Sequence, residues 1–165
     1  MIAYVILAIV AAQRLAELWY AQRNTRALFA RGAVEIGRKH YPLFVILHTA
    51  WLLAIFLALP RPARIHAIPL AAYLALEALR VWTMLSLGRY WTTRIITLPN
   101  APLVRRGPYR FVRHPNYLIV MGEIALLPLV FGELWVAIAF TLLNGALLYW
   151  RIREEELALA PRLSL

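Results

Sequence analysis

Apolar positions along this chain come in long runs, without the strict alternation of a half-buried strand or the single stripe of a soluble helix. Residues 2–20 begin with an apolar stretch to Ala12, then take in Gln13, Arg14 and Glu17 before Tyr20. Residues 43–59 have His48 as their only ionisable member, and residues 67–87 carry Glu77 and Arg80. Two shorter runs, 118–131 and 134–150, are parted by Gly132-Glu133 and contain Glu123 and Asn144. An α-helix needs about 20 apolar residues to cross hydrocarbon, so the pattern predicts an all-α polytopic membrane fold with five spans. The last two runs are a little short and predict a C-terminal hairpin that sits in a thinned region or stops short of the far face.

The polar connections have their own logic. Residues 21–42 predict a basic loop or interfacial helix with Arg23, Arg26, Arg31, Arg38 and Lys39, broken by Gly32 and Gly37, with Pro42 opening the next helix. Pro60-Arg61-Pro62 predicts a short turn. Residues 88–117 hold Arg89, Arg94, Arg105, Arg106, Arg110, Arg113 and His114, while Pro99, Pro102, Pro108 and Pro115 deny a continuous helix. A structured polar segment at the membrane face is expected there. Arg14 and Glu17, and likewise Glu77 and Arg80, are three residues apart, a spacing that suits intrahelical pairs turned toward protein. The first run lacks the positive flank of a signal peptide and reads as a retained helix. With no repeat or linker, residues 1–165 read as one domain, its polar C-terminal part at about 88–165.

Arginine placement orients the spans. The loop 21–42, the segment 88–117 and the tail from Arg151 hold most of the positive charge and should be cytoplasmic, whereas the 60–66 turn has only Arg61 and Arg64. The N-terminus then lies outside, and the C-terminus and any site beside it lie inside.

Composition narrows the function. A hydrophobic content of 62% and a mean hydropathy of +0.65 do not suit a water-exposed surface. The net charge of +10 sits in loops between apolar spans, and no basic helix interleaved with stacking aromatics appears, so nucleic acid is not an expected partner. The absence of cysteine excludes disulfides, thiolate catalysis and cysteine-ligated zinc. Histidines at 40, 48, 66 and 114 lack metal-ligand spacing, and no metal is expected. The seven glycines never cluster into a glycine-rich strand–helix turn, which argues against a Rossmann-type cofactor domain.

Candidate chemistry gathers at the two ends of the C-terminal hairpin. Gly107-Pro108-Tyr109 and Arg113-His114-Pro115-Asn116-Tyr117 precede it, and Arg151 with Glu155-Glu156 follows it. A hairpin returns its ends to one side, so these groups should share a pocket. Each charge is costly to desolvate without a partner or a ligand. The blander alternative is a basic anchor plus an acidic tail.

These residues also carry a family resemblance. Gly-Pro-Tyr-x3-Arg-His-Pro-x-Tyr followed by Arg151-Ile152-x-x-Glu155-Glu156-x-x-Leu159 resembles the isoprenylcysteine carboxyl methyltransferase family of integral-membrane enzymes. Gly32-Ala33-Val34-Glu35, Gly37-Arg38-Lys39-His40-Tyr41-Pro42, His48 and Trp91-Thr92-x-Arg94 are similar to a bacterial branch that O-methylates alkylpyrones and alkylresorcinols. The resemblance implies S-adenosylmethionine as cofactor, with Tyr109, His114, Pro115, Asn116, Tyr117 and Glu155 on cofactor-contacting positions and Leu103-Val104 on a backbone-contacting pair. It places Arg151 on an arginine associated with the substrate. Two departures are Ala101, where many members have a histidine, and a tail without the family's Phe-Gly-x-x-Tyr extension.

Residue chemistry agrees with that implication. In-line methyl transfer from a sulfonium is carried mostly by positioning and desolvation. Glu155 and Glu156 suit ribose hydroxyls or an ammonium. Arg113, His114 or amides near Gly107 suit a carboxylate, and Tyr109 and Tyr117 offer faces to adenine or sulfonium. Arg94 is grouped with these cofactor candidates. Arg151, Glu155 and His48 are the catalytic candidates, His48 as a base for a phenolic or enolic hydroxyl or else as a hydrogen-bonded core histidine. Glu123 either holds Arg113, faces a substrate tunnel or is paired in the core. The expected acceptor is lipidic and enters from the bilayer. The alternatives are a prenylated carboxylate or another amphiphile, or a membrane binding subunit without catalysis.

Overall fold

In a computed structural model, the described residues are 1–38, 41–99, 101 and 104–163, with side chains to 157. Five helices dominate: α1 (Ile2–Phe29), α2 (Tyr41–Ala58), α3 (Ala67–Leu87), α4 (Pro115–Val130) and α5 (Leu134–Leu163). Among the described residues, four of them are long and apolar enough to cross a membrane, α4 being the shorter one. At 16 residues α4 spans about 24 Å, less than the ~30 Å hydrocarbon core. Lipid-facing apolar side chains such as Leu57, Ile68, Leu85 and Leu142 cover the outside of the bundle. The chain is an integral-membrane protein with an all-α polytopic fold.

The third span runs over the expected residues, but α1 and α5 exceed theirs. Residues 21–29 continue α1 as helix because nothing between Tyr20 and Phe29 breaks it; the turn comes at Arg31-Gly32. Residues 151–163 likewise continue α5, so Arg151, Glu155 and Glu156 ride on one rigid 30-residue helix that projects about 45 Å. The expected short final span and separate tail are therefore one element. Two short strands, β1 (Val34–Ile36) and β2 (Ile95–Thr97), pair antiparallel with Glu35 opposite Ile96. This ribbon ties the two polar connections together and was not anticipated.

The apolar core lies toward the end of the bundle formed by the start of α1 and the ends of α2 and α4. It contains Leu7, Val10, Trp51, Ile55, Ile124, Leu127 and Phe131. Deeper along the bundle axis, five charged side chains from three helices meet. Arg14 reaches Glu17 at 3.0 Å, Glu77 at 3.1 Å and Glu123 at 2.9 Å. Arg80 donates to both oxygens of Glu123, its Nε at 2.7 Å, and reaches Glu17 at 3.3 Å. The expected Arg14–Glu17 pair forms. An intrahelical Glu77–Arg80 pair does not, since each finds its partners on other helices. Glu123 is buried in this network and does not hold Arg113. Mutual pairing is what makes such charges tolerable at membrane depth.

Candidate active site

The site is assembled at the other end of the bundle, beginning with the segment that docks on α3. Gly107 has φ +58, and a Cβ there would sit 2.0 Å from Ser86 Oγ. Arg106 Nε donates to the Ser86 carbonyl at 2.8 Å. These contacts pin the 3₁₀ turn Gly107–Arg110 against α3 and leave Tyr109 beside a large cavity. Burial first, and the Glu155 carboxylate second, push the Tyr109 phenol upward, so it stays a neutral donor. Gly107 thus serves close packing against Ser86 and Trp82 and does not line the cavity.

Pro115 sits in the first turn of α4, where its missing N–H costs nothing. It is buried scaffold and, like Gly107, lies off the cavity. His114 precedes it, with its ring stacked on Tyr117 at 5.3 Å. Glu155 and Glu156 stand 3.7 Å from the two ring nitrogens of His114. The Tyr117 hydroxyl donates to Glu155 and accepts from Arg151 Nε, the latter at 2.8 Å. Arg151 Nη2 donates to the Thr93 carbonyl at 2.9 Å, and its guanidinium lies 5.1 Å from the Phe44 ring and 5.5 Å from the Tyr117 ring. Among the described residues, no carboxylate forms a salt bridge with Arg151, although the residue is buried.

Arg94 has a partner of its own: its Nη1 donates to both oxygens of Glu35, at 3.1 and 3.0 Å, and its guanidinium lies over the Tyr41 ring. It borders the cavity just ahead of β2. Arg113 is exposed at the rim, Val104 lines the wall, and Leu103 and His40 lie outside the described residues. Side chains given no role of their own from the sequence complete the site. Tyr41 meets Thr93 Oγ1 at 3.2 Å, and Phe44 stacks under Arg151. Their signal was helical spacing: Phe44, His48 and Trp51 recur on one face of α2.

The cavity measures about 1060 Å³. That lies at the upper end of the usual ~300–1,000 Å³ of a small-molecule pocket. One end is bounded by Tyr109, His114, Asn116, Tyr117, Glu155 and Glu156, and the middle by Tyr41, Phe44 and His48. The deep end reaches Arg14, Glu17 and Arg80 of the charged network. Leu15 of α1 and Val45 of α2 line it and are also exposed, by 68% and 44%.

Two buried polar atoms in the first region, His114 Nε2 and Asn116 Oδ1, have no hydrogen-bond partner. Carboxylates, polar side chains and aromatic faces together fit a nucleoside bearing an amino-acid group and a sulfonium.

Residues 67–161 match the model of the isoprenylcysteine carboxyl methyltransferase family. The chain is 35% identical over 160 residues to the uncharacterized protein YpbQ of Bacillus subtilis (strain 168), covering 94% of this chain and 95% of that one. It is 27% identical over 158 residues to an uncharacterized protein of Haemophilus influenzae, covering 93% and 92%. No solved structure gives a significant match. This integral-membrane chain, with its polar pocket at the helix ends, belongs to the isoprenylcysteine carboxyl methyltransferase family. It is a membrane methyltransferase by family, and such enzymes generally use S-adenosylmethionine.

Proposed function

We propose that this protein transfers a methyl group from S-adenosylmethionine to the hydroxyl of a lipidic acceptor that enters from the bilayer. One observation supports the reading: a single cavity is lined both by the polar side chains of Tyr109, His114, Asn116 and Glu155 and by the exposed, apolar Leu15 and Val45. A water-soluble donor and a membrane-dissolved acceptor need such a shared space.

When bound, S-adenosylmethionine supplies a methyl group activated by an adjacent positive sulfur. Glu155 and Glu156 accept hydrogen bonds from its hydroxyls or ammonium, His114 Nε2 and Asn116 satisfy their own polarity against it, and Tyr109 and Tyr117 present faces to cationic or aromatic parts. Tyr117 also fixes Glu155 and Arg151 relative to one another, a positioning role made by its hydroxyl alone. Arg151, which forms no salt bridge with a described carboxylate, lies toward the acceptor end, where oxygen approaches. Arg94 and Arg113 shape the mouth, and Val104 belongs to its wall.

The acceptor class we favour is the alkylpyrone or alkylresorcinol, a polar ring carrying a long tail. The ring sits near Arg151 and His48, and the tail leaves between α1 and α2. The basic segments 21–38 and 104–113 together with the end of α5 face the cytoplasm, where the methyl donor is made. The test is radiolabelled methyl transfer by the purified protein in lipid nanodiscs. Label should enter alkylresorcinols or alkylpyrones and not a farnesylcysteine carboxylate; the reverse preference would move the acceptor to the carboxylate class. A cysteine placed at 112 should react with an impermeant thiol reagent only after permeabilisation, and reaction in intact cells would reverse the orientation.

A further inference from the structure

We infer that His48 is the proton acceptor for the acceptor hydroxyl, which makes a neutral phenol or enol, not a carboxylate, the group this cavity is built to methylate. The inference rests on the proposed methyl transfer to a lipidic acceptor and deepens it.

His48 Nδ1 lies 2.8 Å from the carbonyl oxygen of Phe44. A carbonyl only accepts, so the proton of a neutral imidazole must sit on Nδ1. Nε2 is then left with its lone pair, and the ring is a neutral base held in one tautomer. The same carbonyl bond, together with edge contact to Trp51 at 6.4 Å, fixes the ring's direction. His48 borders the cavity in the stretch between the Tyr109–Glu155 end and the proposed lipid opening.

Arg14 of α1, Arg80 of α3 and Arg151 of α5 border the same cavity. Arg14 and Arg80 are engaged by Glu17, Glu77 and Glu123. Arg151 forms no salt bridge with a described carboxylate, and it shares the Phe44 ring with His48, whose centroid is 6.5 Å away. A hydroxyl placed between them meets a base on one side and the Arg151 guanidinium on the other. Its proton passes to His48 Nε2 while its oxygen bonds to the methyl carbon of the sulfonium donor. The carbon–sulfur bond breaks with its electron pair kept by sulfur, and the imidazolium then gives its proton to water at the polar mouth. A carboxylate acceptor brings no proton and gives His48 nothing to do.

Two substitutions separate the parts of the ring. In His48→Asn the amide nitrogen can still donate to Phe44, but nothing replaces the basic Nε2. In His48→Gln the amide reaches the Nε2 position without basicity. Both are read first in the donor-free protein, with an alkylated nitrophenol whose ionisation is visible by absorbance. Bound to the wild type, the probe should ionise about one pH unit or more lower than when bound to either variant. Equal ionisation midpoints overturn the assignment. Turnover is the second readout. With an alkylresorcinol, kcat should fall by about 10²- to 10⁴-fold in both variants while KM holds. The acid limb of the wild-type pH profile should vanish. A more acidic hydroxypyrone, ionised before it binds, should lose under tenfold. Wild-type turnover of the resorcinol matched by both variants sinks His48 alone. A wild type that methylates no hydroxyl acceptor sinks the proposed function instead. Unchanged S-adenosylmethionine affinity certifies that a variant is folded; if one variant fails this check, the other decides.

Discussion

Arg14 on α1 and Glu123 on α4, 109 positions apart in the chain, meet at 2.9 Å in the middle of the helix bundle. Glu123 is also held by Arg80 of α3, so one buried carboxylate ties three helices together. Two guanidiniums face three carboxylates here, and removing Glu123 leaves the buried Arg80 with only Glu17, at 3.3 Å. Glu123→Leu should therefore cost about 3–5 kcal/mol, far more than its side-chain volume implies. Denaturation of the detergent-solubilised protein measures this, and a loss below about 1 kcal/mol would show that the network is hydrated and dispensable.

Tyr117→Phe isolates the positioning role of one hydroxyl. The phenyl ring keeps its stack on His114, while the bonds to Glu155 and Arg151 disappear. Glu155 and Arg151 should both loosen, and S-adenosylmethionine affinity should fall by about 1–3 kcal/mol with the fold intact. Calorimetric titration is the check. Undiminished affinity would mean that Glu155 needs no orienting partner.

Gly107→Ala should be destabilising although the residue touches no ligand. Its φ of +58 is strained for alanine, and the added carbon would overlap Ser86 Oγ at 2.0 Å. The expected loss is about 1–3 kcal/mol, with Tyr109 displaced. Adding Ser86→Gly should recover the steric part only. A melting temperature unchanged by Gly107→Ala would show that the turn can shift away from α3.

The sequence disclosed the membrane fold because apolar run length is a global signal that tertiary context rarely overrides. It placed α3 well, since Pro62 and Gly88 punctuate both sides. It misplaced the ends of α1 and α5 because polarity was taken as the end of the helix. Arg23 and Arg26 in one, and Arg151 to Glu156 in the other, are good helix formers without a breaker. Three-residue strands are too short for periodicity, so the β1–β2 ribbon left no trace. The Arg113–Tyr117 and Arg151–Glu156 clusters were visible, and the fold brings them together. Their pairings were not visible. Spacing favoured Glu77 with Arg80, whereas Arg14 and Glu123 approach from other helices and win both.

The last prediction concerns the proposed entry between α1 and α2. A membrane-dissolved tail gains little by leaving lipid for an equally apolar cavity, so the ~0.8 kcal/mol per methylene of transfer from water does not apply. Selection for tailed acceptors must instead come from the shape of the passage between α1 and α2. Leu15 and Val45 stand at that passage and remain exposed. Leu15→Trp and Val45→Trp add bulk there without touching Glu155, Tyr117 or Arg151. Each should lower kcat/KM for a long-chain alkylresorcinol by about tenfold or more, a barrier change of roughly 1.4 kcal/mol. S-adenosylmethionine affinity and the turnover of a tail-less resorcinol, which can enter from the polar mouth, should hardly change. Equal losses for tailed and tail-less acceptors would place the entrance elsewhere and leave Leu15 and Val45 as ordinary lipid-facing residues.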